Sequence, residues 1–182
     1  MRRVTKKMKY IKGQVLGEAI VAMGIITVGV LGMTGFLARS ISEGRSIADQ
    51  TTAANLAAEG IEITKNILDA NALRRFAGAT VAWNEGFASE GFFEVDFRST
   101  ALGNRISATE DRNVLTPLRK EQIGSAQFYS YTGGEITTFR RSIEIRRGLS
   151  EHHIKATARV YWVAREGRPN QVMISSDFYN WR

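Results

Sequence analysis

A long uncharged apolar stretch dominates the N-terminal part of the chain. From Ala19 to Ala38 no residue carries a charge for 20 positions, and most side chains are apolar. In a helix, 20 residues rise about 30 Å, which matches the hydrocarbon core of a bilayer. Glu18 lies at the beginning of the stretch and is the last charged residue before it. The stretch therefore predicts a membrane-spanning helix, with residues 14–38 as its transmembrane part.

The positive charge of the chain is concentrated ahead of this stretch. The 182 residues include 25 basic and 18 acidic ones, which gives a formal net charge of +7. Residues 1–13 contain six of the basic residues and no acidic one, so the remainder is almost neutral. A basic segment beside an apolar span is typical of the cytoplasmic side of a membrane. We therefore expect a cytoplasmic leader over residues 1–13 and an extracytoplasmic body, and the charge distribution argues against a nucleic-acid partner.

Three kinds of N-terminal segment contain an apolar stretch of this sort. A cleaved secretory signal has an apolar region of about 7–15 residues followed by a small-residue cleavage site. Here the stretch is longer and is followed by Arg39 and Ser40 without such a site. A plain signal anchor fits the length, but a carboxylate beside the apolar region is costly and is normally retained because it has a partner. Glu18 therefore favours the third kind, a segment whose processing supplies that partner.

The residues around Glu18 resemble a known processing signal. The sequence GQVLGE, residues 13–18, resembles the cleavage signal of type IV prepilins and type II secretion pseudopilins. Three of its six positions carry residues other than those most common in that family. The resemblance implies cleavage after Gly13 by a prepilin peptidase and N-methylation of Gln14. It also implies that Glu18 acts in assembly and sets the axial register of the subunits.

Electrostatics explains why such a signal would need Glu18. Cleavage before Gln14 would create an ammonium group one helical turn from the Glu18 carboxylate, because residues i and i+4 share a helix face. The carboxylate would also lie in the first turn of the mature helix, where the helix dipole favours negative charge. In a filament, the carboxylate of one subunit could pair with the terminal amine of its neighbour. In lipid, such a pair is far more favourable than either charge alone.

The helical pattern continues beyond the apolar stretch. Residues 39–69 contain no proline, and their periodicity predicts a continued amphipathic helix in which Lys65 could pair with Glu62. Two apolar faces are predicted, one with Ile47, Ala54, Ala58, Ile61 and Leu68 and the other with Leu56, Ile63 and Ile67. Two faces indicate either two partners, the domain of the chain itself and neighbouring subunits, or a helix buried deeply in its own domain.

Residues 70–182 are predicted to form an extracytoplasmic β-rich domain. Alternating side chains predict strands over 92–98, 127–131, 137–147, 153–165 and 171–181, with a turn at 132–135 and a surface loop over 99–122. The last two strands are expected to form an antiparallel hairpin. No cysteine is present, so a packed core must stabilise the domain without disulfides. The expected fold class is α+β, with a long N-terminal helix packed on a C-terminal antiparallel sheet.

Two further segments resemble minor pilins of the pilus-modification type. Residues 53–62, AANLAAEGIE, resemble the corresponding helix segment, and residues 158–182 resemble the terminal hairpin. The resemblance implies a pilin-like fold and a minor pilin or pseudopilin that assembles into, or primes, a type IV filament. The implied partners are the prepilin peptidase, other pilin subunits that bind through the N-terminal helix, and membrane lipid.

The sequence contains no convincing pattern for catalysis or for a cofactor or metal. His152 and His153 are adjacent, and adjacent strand residues point to opposite faces, so they do not readily bind one metal. The arginine pairs at 140–141 and 146–147 are expected at solvated strand edges, with contact to DNA or to another anionic surface as the weaker interpretation. We therefore predict that the chain is not an enzyme and has no cofactor. The alternative function is a permanently membrane-anchored extracytoplasmic binding or adhesion module.

Overall fold

The computed structural model describes residues 12–103, 105–106, 111–148, 150, 152–164 and 167–180. Within these residues the chain forms one helix followed by six strands. The elements are α1 (Lys12–Phe76), β1 (Gly91–Phe93), β2 (Pro117–Ile123), β3 (Ala126–Ser130), β4 (Glu135–Arg147), β5 (His153–Val163) and β6 (Pro169–Tyr179). The chain divides into two units, residues 1–46 and residues 47–182. Most of the expected leader, residues 1–11, lies outside the described residues.

The helix α1 is 65 residues long and ends at Phe76, beyond the end that the sequence predicts at Asp69. No proline falls within it, so every backbone N–H remains available for helical hydrogen bonding. Its last turn contains Arg74 and Arg75, whose charges complement the negative end of the helix dipole. Gly78 follows with a φ of 89°, which glycine adopts without strain, and its N–H donates to the Arg75 carbonyl at 3.0 Å. This turn ends the helix.

The strands form one antiparallel sheet within the described residues. The order is β3-β2-β4-β5-β6, and β1 also pairs with β4. β5 and β6 form the predicted C-terminal hairpin, with His153 opposite Tyr179 at one end and Val163 opposite Pro169 at the other. The predicted α+β layout, a long N-terminal helix and a C-terminal antiparallel sheet, is confirmed.

Two predictions about the middle of the chain are wrong. The loop expected over 99–122 contains most of β2, in which Leu118 is fully buried. Because Leu118 is the one residue of this strand that the core encloses, β2 lacks the apolar alternation that marks a strand. The strand expected over 92–98 is limited to β1, because the chain turns at Asp96. The Asp96 Oδ1 atom accepts a hydrogen bond from the Arg98 N–H at 3.0 Å.

In the second unit, α1 packs on the sheet with a single face. The buried residues recur at spacings of three and four, as in a helix with one apolar stripe. They are Ala53, Leu56, Ala57, Gly60, Ile61, Ile63, Thr64, Ile67, Leu68 and Asn71. Residues of both predicted apolar faces share this buried stripe, whereas Ala58 is exposed and Ile47 is 64% exposed, so no second face of the helix is buried within the described chain. Lys65 lies 3.9 Å from Asp69, so the pairing predicted with Glu62 is also wrong.

The core lies between this helix face and the sheet. The sheet supplies Phe139, Ile143, Ile145, Ile154, Ala156, Ala158, Val160 and Trp162, which lie at alternating positions of the predicted strands 137–147 and 153–165. The helix approaches the sheet closely at Gly60. A Cβ atom there would lie 2.6 Å from Ile143 Cδ1, 3.1 Å from Arg141 Cδ and 3.5 Å from Ala158 Cβ. A side chain at position 60 would therefore force the side chains of Ile143 and Arg141 to shift.

Substitution of Gly60 tests this close approach. Alanine is favoured over glycine in a helix by about 1 kcal/mol, but overpacking a tight core costs about 1–3 kcal/mol. We expect Gly60→Ala to lower the free energy of unfolding by about 1 kcal/mol and Gly60→Val to lower it by more. The measurement is urea denaturation of the full chain in detergent, followed by circular dichroism.

The control is Asn66→Ala, on the exposed side of the same helix. This change adds helix propensity without a contact, so it should be neutral or stabilising by a few tenths of a kcal/mol. If Gly60→Ala stabilised the chain as much as Asn66→Ala does, the packing at Gly60 would be looser than described.

Candidate functional site

The N-terminal part of α1 is exposed at every residue from Val15 to Ile47. Large apolar side chains with more than half of their surface exposed occur throughout residues 15–47. They are Val15, Leu16, Ile20, Val21, Met23, Ile25, Ile26, Val28, Val30, Leu31, Met33, Phe36, Leu37, Ile41 and Ile47. The helix is long and apolar enough to cross a membrane, and none of its most apolar window is buried within the chain. An apolar surface of this extent requires contact with lipid or with other proteins.

The hydroxyl groups within this apolar part are satisfied by the helix itself. Thr27 Oγ1 donates to the Met23 carbonyl at 2.7 Å, and Thr34 Oγ1 donates to the Leu31 carbonyl at 3.0 Å. A polar group without a hydrogen bond in hydrocarbon costs roughly several kcal/mol. Because both hydroxyls are bonded to the helix backbone, the two threonines are compatible with lipid. The segment needs no water for its side-chain hydroxyls.

Charged residues mark both ends of the apolar part. Glu18 precedes it, and Arg39 is the first charged residue after it. Arg39 Nε lies 2.9 Å from Glu43 Oε1, and the two side chains are 82% and 63% exposed. A helical surface pair of this kind contributes only about 0.3–0.5 kcal/mol to stability. Its position marks the end of the uncharged stretch.

The three predicted processing residues lie close together at the beginning of α1. Gly13 and Gln14 are in its first turn, and Glu18 lies one turn beyond Gln14. The Glu18 side chain is exposed and makes no ion pair or hydrogen bond within the described part of the chain. Cleavage, N-methylation and pairing with a neighbouring amine all involve other molecules, so these roles stay predictions.

The second unit contains a buried charge that the sequence analysis places at a solvated strand edge. Arg141 of β4 is fully buried on the helix-facing side of the sheet. Its guanidinium donates to the Leu56 carbonyl of α1 at 2.9 Å and to the Val95 carbonyl at 2.6 Å. It also lies 3.5 Å from the carboxylate of Glu59, whose side chain is 34% exposed. The predicted edge position of Arg141 is therefore wrong, because this residue connects α1, β4 and the segment that follows β1.

Burial changes the titration of groups around Arg141. It raises the pKa of the Glu59 carboxyl above its usual range, and the Arg141 guanidinium opposes that rise. The Tyr131 hydroxyl donates to the Arg141 carbonyl at 3.2 Å, and burial also raises the pKa of this phenol. The two carbonyls of Leu56 and Val95, both nearer than the Glu59 carboxylate, provide the closest contacts of the guanidinium.

A signal for this buried arginine is present in the sequence. Arg141 occupies an inward position of β4 between Phe139 and Ile143, where the alternation of the strand requires a buried side chain. An arginine at such a position indicates polar partners inside the core, since a buried charge must be paired or hydrogen-bonded. Arg146 differs, because it is 69% exposed and pairs with Glu144.

The two histidines make separate contacts, as the sequence analysis expects for adjacent residues. His153 Nε2 lies 2.7 Å from Asp177 Oδ1, and the ring stacks on Tyr179 with centroids 4.5 Å apart. His152 lies beside Asn180 instead. The described residues contain no group of three or more histidine, cysteine, aspartate or glutamate side chains placed to hold a metal ion.

Comparison of the chain with protein-family models, with curated proteins and with solved structures finds no match. The functional interpretation therefore depends on the residues themselves. The candidate functional site is the N-terminal segment from Gly13 to Ala38, which combines the predicted cleavage position, one carboxylate and a membrane-length apolar surface.

Proposed function

We propose that the chain is a minor pilin or pseudopilin, a subunit that a prepilin peptidase processes and that then assembles into, or primes, a type IV filament. The observation that carries this proposal is the position of Glu18, the fifth residue after Gly13 and the last charge before the apolar stretch. A plain membrane anchor has no need of a carboxylate there, whereas cleavage would create an amine for it to meet. The layout of one long helix and an antiparallel sheet supports a pilin-like fold.

In this proposal the apolar part of α1 has two successive environments. Before assembly it spans the membrane once, with the leader in the cytoplasm and the second unit outside. In the filament the same surface packs against the helices of neighbouring subunits. The glycines within it are Gly24, Gly29, Gly32 and Gly35. A Cβ atom added at any of them would meet no atom within 4 Å, so these positions leave room for close approach of another helix.

The proposed role is mechanical, without catalysis and without a cofactor. The partners are the prepilin peptidase, other pilin subunits and membrane lipid. Glu18 sets the axial position of each subunit, because its carboxylate pairs with the amine of a neighbouring Gln14. In a water-free interior this pairing is specific, since a charge left without its partner is strongly disfavoured.

Analysis of the mature N-terminus tests the proposal. Intact mass and N-terminal sequencing are compared for protein from cells with and without the prepilin peptidase. We expect a chain that begins at Gln14 and carries one added methyl group, and we expect residues 1–13 to be retained without the peptidase. Because an N-terminal glutamine can cyclise with loss of ammonia, the mass also reports whether the charged amine persists.

Two glycine variants test whether processing depends on the residue at the cleavage position. Gly13→Val places a bulky residue immediately before the cleaved bond and should prevent processing. Gly17→Ala, where an added Cβ meets no atom within 4 Å, should be processed normally. Retention of residues 1–13 in cells with and without the peptidase would contradict the proposal. It would favour the permanently membrane-anchored binding module.

A further inference from the structure

The strand β6 forms one end of the sheet and has a free edge. It pairs with β5 along its whole length, and no other strand of the described residues pairs with it. The hydrogen bonds at the two ends of the hairpin show which residues face β5. The Asn180 N–H donates to the His152 carbonyl, and the Ala164 N–H donates to the Arg168 carbonyl. Hydrogen-bonded pairs alternate with non-bonded pairs along an antiparallel ladder. The backbone N–H and C=O groups of even-numbered β6 residues therefore bond to β5, and those of odd-numbered residues point away from it.

The outward-facing backbone groups form a long row. They belong to Gln171, Met173, Ser175, Asp177 and Tyr179. All five of these residues are exposed. Proteins usually protect such an edge with charges, prolines, bulges or a covering segment. Here Pro169 lies at the beginning of the strand and Asp177 is the one charged residue within it, and the register is free of bulges. The edge is therefore able to accept another strand.

An apolar groove lies beside the C-terminal end of this edge. It has a volume of about 830 Å³, and β6 is the one strand among its lining elements. Its apolar walls come from Leu68, Ala72, Leu73, Phe76, Trp83 and Phe178. Because side chains alternate between the two faces of a sheet, the part of an added strand beside residues 177–179 would direct alternate side chains toward this groove. The edge and the groove thus suit one extended ligand.

The charges around the groove favour an anionic group on that ligand. Lys65 lies 3.9 Å from Asp69, and Asp177 Oδ1 lies within hydrogen-bond distance of His153 Nε2, at 2.7 Å. Arg75, the remaining charged residue of the groove, is exposed and forms no ion pair within the described ranges. It would attract a carboxylate.

We propose that the β6 edge and this groove bind an extended segment of another polypeptide as an added strand, with apolar side chains at alternate positions and a carboxylate that meets Arg75. This mode of binding uses backbone hydrogen bonds for affinity and side-chain pockets for specificity. A second copy of the chain fits less well. The carboxylate of its own β6, Asp177, already has a hydrogen-bond partner in His153. The inference depends on the second unit alone and does not require the filament proposal.

Selection from a random peptide library tests the proposal. The full chain is held in lipid nanodiscs, and phage that display random twelve-residue peptides are depleted first on empty nanodiscs. We expect enriched peptides with apolar residues at every second position and an acidic residue or free carboxyl terminus at one end. Enrichment of peptides without this pattern, or no enrichment, would overturn the proposal.

Two substitutions on the protein identify the binding mode. Met173→Pro removes an outward N–H and leaves the bonds to β5 in place, so it should weaken binding of a selected peptide about tenfold or more, whereas Met173→Ala should not. Arg75→Glu should change the preferred terminal charge of the peptide from acidic to basic. Equal binding by Met173→Pro and Met173→Ala would show that the peptide does not pair with β6.

Backbone methylation of the peptide gives the same test without altering the protein. N-methylation at alternate amides should abolish binding for the set that faces β6 and preserve it for the other set. Loss of binding with both sets, or with neither, would contradict strand addition. Self-association of the unmodified chain that Met173→Pro prevents would identify a second copy as the occupant and would overturn the proposed one.

Discussion

Replacement of Glu18 by leucine is expected to exclude the chain from filaments while leaving it in the membrane. Glu18 has no partner in the described part of the uncleaved chain, and its proposed partner in the filament is the amine of a neighbouring subunit. Removing one member of a buried ion pair costs about 3–5 kcal/mol, because the other charge stays buried and unpaired. Since each 1.4 kcal/mol is about a factor of ten, incorporation should fall by about 100-fold or more. Immunoblots of sheared surface filaments and of the membrane fraction provide the measurement.

The matched control is Glu43→Gln, which removes a carboxylate from the same helix beyond the apolar part. Glu43 is 63% exposed and pairs with Arg39 in a helical surface pair worth about 0.3–0.5 kcal/mol, so incorporation should change about twofold at most. Membrane insertion of Glu18→Leu should be undiminished, because the change removes a charge beside the apolar stretch. Equal incorporation of Glu18→Leu and the unchanged chain would contradict the filament proposal and favour a simple membrane anchor.

The parts of the fold that the sequence predicts are those with strong local periodicity. The apolar stretch from Ala19 to Ala38 requires a long helix, and the alternation in the C-terminal residues predicts β5 and β6 together with their inward faces. In both cases the spacing of apolar residues within a single segment is enough to identify the element.

The parts that the sequence does not predict depend on contacts between distant residues. β2 becomes a strand by pairing with β3 and β4, although only Leu118 enters the core. The buried face of α1 is selected by the sheet, which covers Ala53 and Ala57 while Ala58 stays exposed. Arg141 is buried because it reaches the Leu56 carbonyl, 85 residues earlier in the chain. Periodicity within one segment does not contain this information.

The sequence likewise predicts only part of the candidate site. The positions of Gly13, Gln14 and Glu18 on one helical segment follow from the sequence, as does the exposure of the apolar surface after them. The roles of these residues depend on a peptidase, on lipid and on neighbouring subunits. A single chain does not contain those partners, so the processing and assembly roles stay predictions until the N-terminal analysis and the Glu18 experiment are done.

Replacement of Arg141 by alanine is expected to destabilise the second unit by about 3 kcal/mol. The change removes the hydrogen bonds to the Leu56 and Val95 carbonyls, leaves Glu59 without its counter-ion and opens a cavity in the core. Loss of one partner of a buried pair costs about 3–5 kcal/mol, and the 34% exposure of Glu59 places this case at the lower end. For a chain of this size the melting temperature should fall by roughly 10 °C. Thermal and urea unfolding of the full chain in detergent provide the measurement.

Two further variants separate the charge of Arg141 from its packing. Arg146→Ala, in the same strand but 69% exposed, should change stability by about 0.5 kcal/mol at most. The double variant Glu59→Gln with Arg141→Met replaces the charged pair by neutral side chains of similar size, and such replacements are often neutral or stabilising. It should therefore be clearly more stable than Arg141→Ala. If Arg141→Ala were no more destabilising than Arg146→Ala, the buried guanidinium would not be what holds α1, β4 and the segment after β1 together.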